Sequence, residues 1–95
     1  MPEPRFSVVV PLFNEQFAVA GTIVDIRDYF EGCGDSYEIL LVDNASTDAT
    51  RSHAEPLLDG DKVRLLVNDA NLGKGFSVRR GMLEARGEIR LHCDA

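Results

Sequence analysis

The chain has little cysteine. Its two residues, Cys33 and Cys93, stand sixty positions apart. That is neither a paired zinc spacing nor a disulfide framework, so two reduced thiols are expected. His53 and His92 sit in unrelated contexts, and neither is expected to hold a metal. Basic residues are also in deficit: ten Lys and Arg face sixteen Asp and Glu, for a formal net charge of −6. That balance argues against a nucleic-acid partner. For a phosphate-bearing ligand, it points to a metal ion rather than a basic pocket as the neutralising charge. No apolar run approaches the roughly 20 residues of a membrane span. The start, Met1-Pro2-Glu3-Pro4-Arg5, lacks the charged-then-apolar plan of a secretory signal, and a cytoplasmic location is expected. No Gly-x-Gly-x-x-Gly follows the first apolar run, which weighs against a dinucleotide oxidoreductase. Lys74 is followed by Gly75 rather than Ser or Thr, and no glycine stands at the required offset, so there is no phosphate-binding P-loop.

What is present is an ordinary globular composition, 44% apolar and 27% charged, in 95 residues. That length allows one small domain with a thin stability margin. Its organising stretch is Glu38 to Asp48. Ile39-Leu40-Leu41-Val42 is short enough for a strand and too continuous for a half-exposed one, which suits a strand covered on both faces. It runs into Asp43 and then into Ser46, Thr47 and Asp48, which are helix-starting residues. An acid delivered to the carboxyl end of a buried strand, followed at once by a helix, is the ligand edge of an open α/β sheet.

Phe6 to Leu12 contains the β-branched run Val8-Val9-Val10 and reads as another buried strand, ending near Pro11. Val19, Ile23, Ile26 and Phe30 step by four, three and four and predict a helix from about Glu15, capped by Asn14, to Phe30. The glycines around Cys33 end it. A second helix is expected from Thr47 to Ala54, stopped or kinked by Pro56. Val63 to Val67 is a third strand. Phe76 to Arg86 is a third helix, with Gly81 inside it excused by close packing on the sheet and Gly87 as its cap. Glu88 to Cys93 is a fourth strand. The alternation predicts a doubly wound α/β parallel sheet of four strands, in order 3-2-1-4, with three helices.

Three features gather at the predicted carboxyl edge: Pro11 to Glu15, Asp43 to Asp48, and Asp94. Asn14, Ser46 and Thr47 are each explained by helix capping. Asp43 is harder to dismiss, because a carboxylate after a buried strand is costly unless solvated or paired. Asn71-Leu72-Gly73-Lys74-Gly75 is a glycine-flanked lysine opening a helix, either a phosphate cradle or a solvated loop.

Together, Val-Val-Val-Pro-Leu-Phe-Asn-Glu, Leu-Val-Asp-Asn-Ala-Ser-Thr-Asp, Asn-Leu-Gly-Lys-Gly and Ala-Arg-Gly-Glu, with a last strand ending in Asp-Ala, resemble the amino-terminal half of family 2 glycosyltransferases. The last two elements look most like enzymes that load glucose or mannose onto dolichyl or polyprenyl phosphate. The resemblance covers nearly the whole chain. It implies a Rossmann-like GT-A fold, with residues 1–95 as the nucleotide-sugar-binding part of a longer, membrane-associated protein. It also implies an inverting transfer of a hexose from a nucleoside-diphosphate sugar, UDP-glucose first and GDP-mannose second, with Mg²⁺ or Mn²⁺ as cofactor. The nucleotide-binding residues it implies are Pro11, Asn14, Glu15, Asp43, Asn44, Ser46, Asn71, Lys74 and Asp94. Among them Asp43 would read the base, and Asp94 would be the first acid of an Asp-x-Asp metal motif whose second acid would be residue 96. The catalytic base is expected beyond Ala95, so these residues alone are expected to bind without turnover. Two mild departures are Asn44 for a second Asp and Ala45 for a usual Gly. The alternative from another class is a non-catalytic binding module that self-associates through the open edge of its fourth strand. A phospho-accepting receiver domain fares poorly, because the acidic pair expected after its first strand is missing.

Overall fold

Tyr37–Asp43 (β2) is buried at every position, as a strand covered on both faces must be. It lies in a four-stranded parallel sheet with Phe6–Leu12 (β1), Val63–Val67 (β3) and Ile89–His92 (β4), in the order β3-β2-β1-β4. This computed structural model describes residues 3–95.

The alternation of side chains sorts the interior strands into two cores. Val8, Val10, Leu12, Ile39 and Leu41 meet Val19, Ile23 and Phe30 of the helix Val19–Cys33 (α1), with Ala54 of the short helix Thr50–Ala54 (α2). On the opposite face Val9, Leu40 and Val42 meet Met82 and Ala85, at and just beyond the end of the helix Lys74–Glu84 (α3). The sheet is therefore wound on both sides, and its strand order places the carboxyl ends of β1 and β2 beside one crevice.

Local chemistry moved several boundaries. α1 starts at Val19, a turn later than the expected Glu15, and Asn14, Glu15 and Gln16 instead bond to the segment before α2. Its N-cap is Ala18, without a side-chain cap, so Asn14 does not cap it. Ser46 and Thr47 do not cap α2 either; its N-cap is Ala49, and Thr50 N bonds to Asp48 Oδ1. The helix tightens at Pro56 into a single 3₁₀ turn, Glu55–Leu57. α3 begins at Lys74, so the lysine belongs to its first turn and not to the preceding loop. Gly87 does not cap α3. A Cβ there would lie 2.6 Å from Ser7 Oγ and 2.7 Å from Ser7 N, so its bareness lets the start of β4 press against β1. Gly81 answers its expectation, for a Cβ there would lie 2.3 Å from Val9 Cγ1.

Pro11 lies inside an interior strand, where proline is rare. Parallel pairing explains it. Val9 O accepts from Cys93 N on the β4 side, whereas Leu12 O accepts from Asn44 N on the β2 side. Pro11 is in phase with Val9, so its missing N–H falls on the β4 side, past the last register pair Val9↔His92.

Beneath the sheet's amino-terminal end lies one buried acid. Glu38 accepts from Ser7 Oγ at 2.6 Å, Arg64 at 2.8 Å, Arg86 N at 2.6 Å and Arg86 Nε at 3.2 Å. Burial pushes its pKa up, but the Arg86 amide, Ser7 and Arg64 outweigh that and hold it below the ordinary glutamate value.

Candidate functional site

At the carboxyl rim, β1 and β2 hand over to two loops that are stitched together. Asn14 and Ala45 both take positive φ, 53° and 60°. Those turns aim the loops at each other. Asn14 N donates to Ser46 Oγ at 2.9 Å, Glu15 N to Thr50 Oγ1 at 2.8 Å and Gln16 N to Asp48 Oδ2 at 3.3 Å. In return Thr47 N donates to Asn14 Oδ1 at 2.9 Å and Ala49 N to Gln16 Oε1 at 3.1 Å. The polar residues that read as helix caps are spent on this seam.

The seam also answers the cost of Asp43. Its carboxylate is buried and accepts from Ser46 N and Ser46 Oγ, with Arg51 Nε at 3.5 Å. Asp43 thus orients Ser46, and Ser46 orients Asn14.

The third segment follows β3. Asn68 N donates to Asp43 O at 2.8 Å, which carries the chain past the end of β2. Asn44 then holds the loop: its Oδ1 accepts from Leu72 N at 2.8 Å and its Nδ2 donates to Asn71 Oδ1 at 2.7 Å. Gly73, at φ 94°, turns the backbone into α3 and leaves Lys74 facing the crevice. Across from it Asp94 follows β4, with Lys74 Nζ 2.6 Å from Asp94 Oδ1. That hydrogen bond and charge hold the Asp94 carboxyl below the usual aspartate value.

These segments enclose a cavity of about 430 Å³. Six of the nine residues expected from sequence line it: Pro11, Glu15, Asn44, Asn71, Lys74 and Asp94. The other three, Asn14, Asp43 and Ser46, lie in the seam and not on the cavity wall. Both oxygens of Asp43 are engaged within the chain, and its buried carboxylate does not line the cavity it was expected to face. Sequence reasoning missed Ser77, a wall residue, and Asn68 behind it, both buried. Asn68 could have been found, since it follows β3 as Asp43 ends β2. Ser77 carried no such signal.

The wall brings together an ammonium, two carboxylates and two side-chain amides at the carboxyl ends of parallel strands. The model of Glycosyl transferase family 2 matches residues 7–95. The chain belongs to that family. Among curated family 2 relatives, the mouse (Mus musculus) dolichyl-phosphate beta-glucosyltransferase is 35% identical over 102 residues, covering 99% of this chain and 32% of its own length. The chain thus spans about a third of the length of the curated relatives it matches. Two solved structures share its fold. One is the mannosyltransferase PcManGT from Pyrobaculum calidifontis, in complex with GDP-Man and Mn²⁺. It superposes with a TM-score of 0.81 at 27% identity, covering 99% of this chain and 28% of that one. The other is glucosyl-3-phosphoglycerate synthase from Mycobacterium tuberculosis, in complex with Mn²⁺, UDP and phosphoglyceric acid. It gives 0.75 at 26% identity, covering 96% and 32%. The Rossmann-like parallel sheet is the GT-A architecture of this family.

Proposed function

We propose that residues 1–95 form the donor-nucleotide-binding part of an inverting hexosyltransferase. The donor is a nucleoside-diphosphate sugar, UDP-glucose before GDP-mannose, and the acceptor a polyprenyl or dolichyl phosphate. The observation that carries this reading is the cavity between Glu15, Lys74 and Asp94, which offers one cation and hard oxygen donors at the family's ligand edge. The named relatives and neighbours supply the donor and acceptor classes.

In the transfer, an acceptor phosphate oxygen attacks the anomeric carbon. The bond from that carbon to the diphosphate oxygen breaks, and the nucleoside diphosphate leaves with the electron pair. A phosphate acceptor is already anionic and needs little help from a base. Lys74, in the first turn of α3, is placed to meet the departing negative charge. Asp94 is a hard oxygen donor on the cavity wall, which suits Mg²⁺ or Mn²⁺. Among the described residues no three His, Cys, Asp or Glu side chains cluster for a metal, so Asp94 alone would hold the ion weakly. When bound, such an ion supplies further neutralisation of the diphosphate.

Isothermal titration with UDP, GDP and their hexose derivatives in MnCl₂ tests the reading. Silence with all of them at millimolar ligand would remove it. Among the described residues β4 pairs only with β1, and that edge is the one observation that would favour a self-associating module. No described helix is long and apolar enough to cross a membrane. We place this part in the cytoplasm and the whole protein at a membrane, where a lipid phosphate acceptor would be met.

A further inference from the structure

An arginine and three asparagines run in line from the flank of α3 to the cavity wall. Arg80 Nη1 donates to Val67 O at 2.8 Å and to Asn68 Oδ1 at 2.9 Å. A guanidinium can only donate, so the oxygen end of the Asn68 amide must face it. The nitrogen end then points inward and donates to Asn44 Oδ1 at 3.1 Å and Ser77 Oγ at 2.9 Å. Asn44 Oδ1 also accepts from Leu72 N, so Asn44 Nδ2 turns to Asn71 Oδ1. Asn71 Oδ1 in turn accepts from Gly73 N at 3.1 Å. Every amide here is locked twice, by its neighbour in the line and by a group that can only donate: Arg80, Leu72 N or Gly73 N. Asn68 and Asn44 are buried, where flipping either would set like groups face to face. Among the described residues Asn71 Nδ2 has no acceptor in the protein, and Asn71 lies on the cavity wall.

We infer that Arg80, Asn68 and Asn44 form a polarity relay that commits Asn71 to present an N–H donor to the cavity, so that its partner there is an acceptor oxygen of the ligand. Arg80 and Asn68 are positioning residues that act through Asn71. The shared chemistry of the partner is a phosphate oxygen or a base carbonyl. The identity of the ligand rests on the nucleotide reading above; the orientation of the amides does not.

Asn71→Asp is a near-isosteric probe. It keeps an acceptor for both Gly73 N and Asn44 Nδ2 and replaces the cavity-facing NH₂ with an oxygen that also carries negative charge, so Asn71→Ala, neutral and without the donor, is titrated beside it and should weaken UDP as well. Titrations of the chain with UDP, uridine and pyrophosphate in MnCl₂ are compared with wild type, alongside thermal melts. The expected result is an unchanged melt with UDP weakened by about tenfold or more. Pyrophosphate weakened in parallel assigns the partner to phosphate, and uridine weakened instead assigns it to the base. A folded N71D that binds UDP as tightly as wild type overturns the inference. If wild type binds none of the three, the nucleotide reading has failed, and amide exchange decides the relay alone. Arg80→Met should then speed exchange of the Leu72 and Gly73 amides by about tenfold, with protection returned by Arg80→Lys, which can still donate. Unchanged exchange in R80M overturns it. Arg80 is part-exposed and Asn71 exposed, so both sites tolerate substitution without opening the core.

Discussion

Lys74 and Asp94 reach the cavity from opposite sides, one opening α3 and the other following β4, and their charged atoms lie 2.6 Å apart. Each is the other's partner and also the natural partner of a ligand component, Lys74 of a phosphate and Asp94 of a cation. Lys74→Ala should therefore weaken UDP while strengthening Mn²⁺ binding in the absence of nucleotide. The pair is exposed, so the gain for Mn²⁺ should be up to about fivefold. Electron paramagnetic resonance of free Mn²⁺ measures it. Equal Mn²⁺ affinity in the two proteins would mean that the pair does not compete.

Glu38 is buried, and two partly exposed arginines converge on it. Removing its charge leaves Arg64 without a carboxylate partner and Arg86 with Asp61 alone, at 3.6 Å. Glu38→Gln should cost about 3 kcal/mol, at the low end for a broken buried pair because Arg64 and Arg86 can recover some water. Urea unfolding at neutral pH measures this, and a change under about 0.5 kcal/mol would reduce the network to decoration.

The same residue sets an acid limit. Its folded pKa is lowered from the ordinary 4.5. The stability it supplies is therefore complete above that value and is lost as pH falls through the lower, folded one. Urea midpoints should hold from neutral pH down to about 5 and fall as the pH drops further. The drop should shrink in Glu38→Gln; an identical acid profile in that variant would assign the effect to other carboxylates.

Two glycines of α3 should respond with opposite sign. At Gly81 an added methyl strikes Val9 and Val42 in the core, so Gly81→Ala should cost about 1–3 kcal/mol. At Gly75 nothing lies within 4 Å of the added carbon, so Gly75→Ala should gain about 0.5–1 kcal/mol from helix preference. Thermal melts of the two variants decide it, and stabilisation by both would mean α3 stands further off the sheet.

Ala45 sits at φ 60°, a conformation that disfavours a β-carbon. Ala45→Gly should relieve about 1 kcal/mol, partly offset by the greater freedom of glycine when unfolded. A higher melting temperature with unchanged nucleotide affinity is expected. A lower one would show that the Ala45 side chain packs in a way that outweighs its backbone.

Strand identity, sheet order and helix count were legible because each rests on a local pattern. Ile39 to Val42 suits a covered strand by its length and continuity, and Val19, Ile23 and Phe30 are spaced to share a helix face. The helix starts were not legible. Asn14, Ser46 and Thr47 are chemically able to cap, but their partners lie 32 or 33 residues away across the seam, and no local rule reports a competitor at that distance. Asp43 was legible as an acid needing a partner and misleading as one facing the cavity, since Ser46 three residues on satisfies it. Asn71, Lys74 and Asp94 were placed by motif, whereas the line behind Asn71 became visible only once Asn68 and Arg80 had coordinates.

Glu38 and Ser7 draw together residues 7, 38, 64, 86 and 87, with Gly87 N donating to Ser7 Oγ across eighty positions of sequence. β1, the first strand in the chain, is also flanked on both sides by strands made later. No early segment can thus reach its final surroundings by itself, and chain closure must precede the contacts that reward it. Such wiring is slow to assemble, so this sheet should form on millisecond or longer timescales. Until then Val8-Val9-Val10 and Ile39-Leu40-Leu41-Val42 would stand bare of their final neighbours.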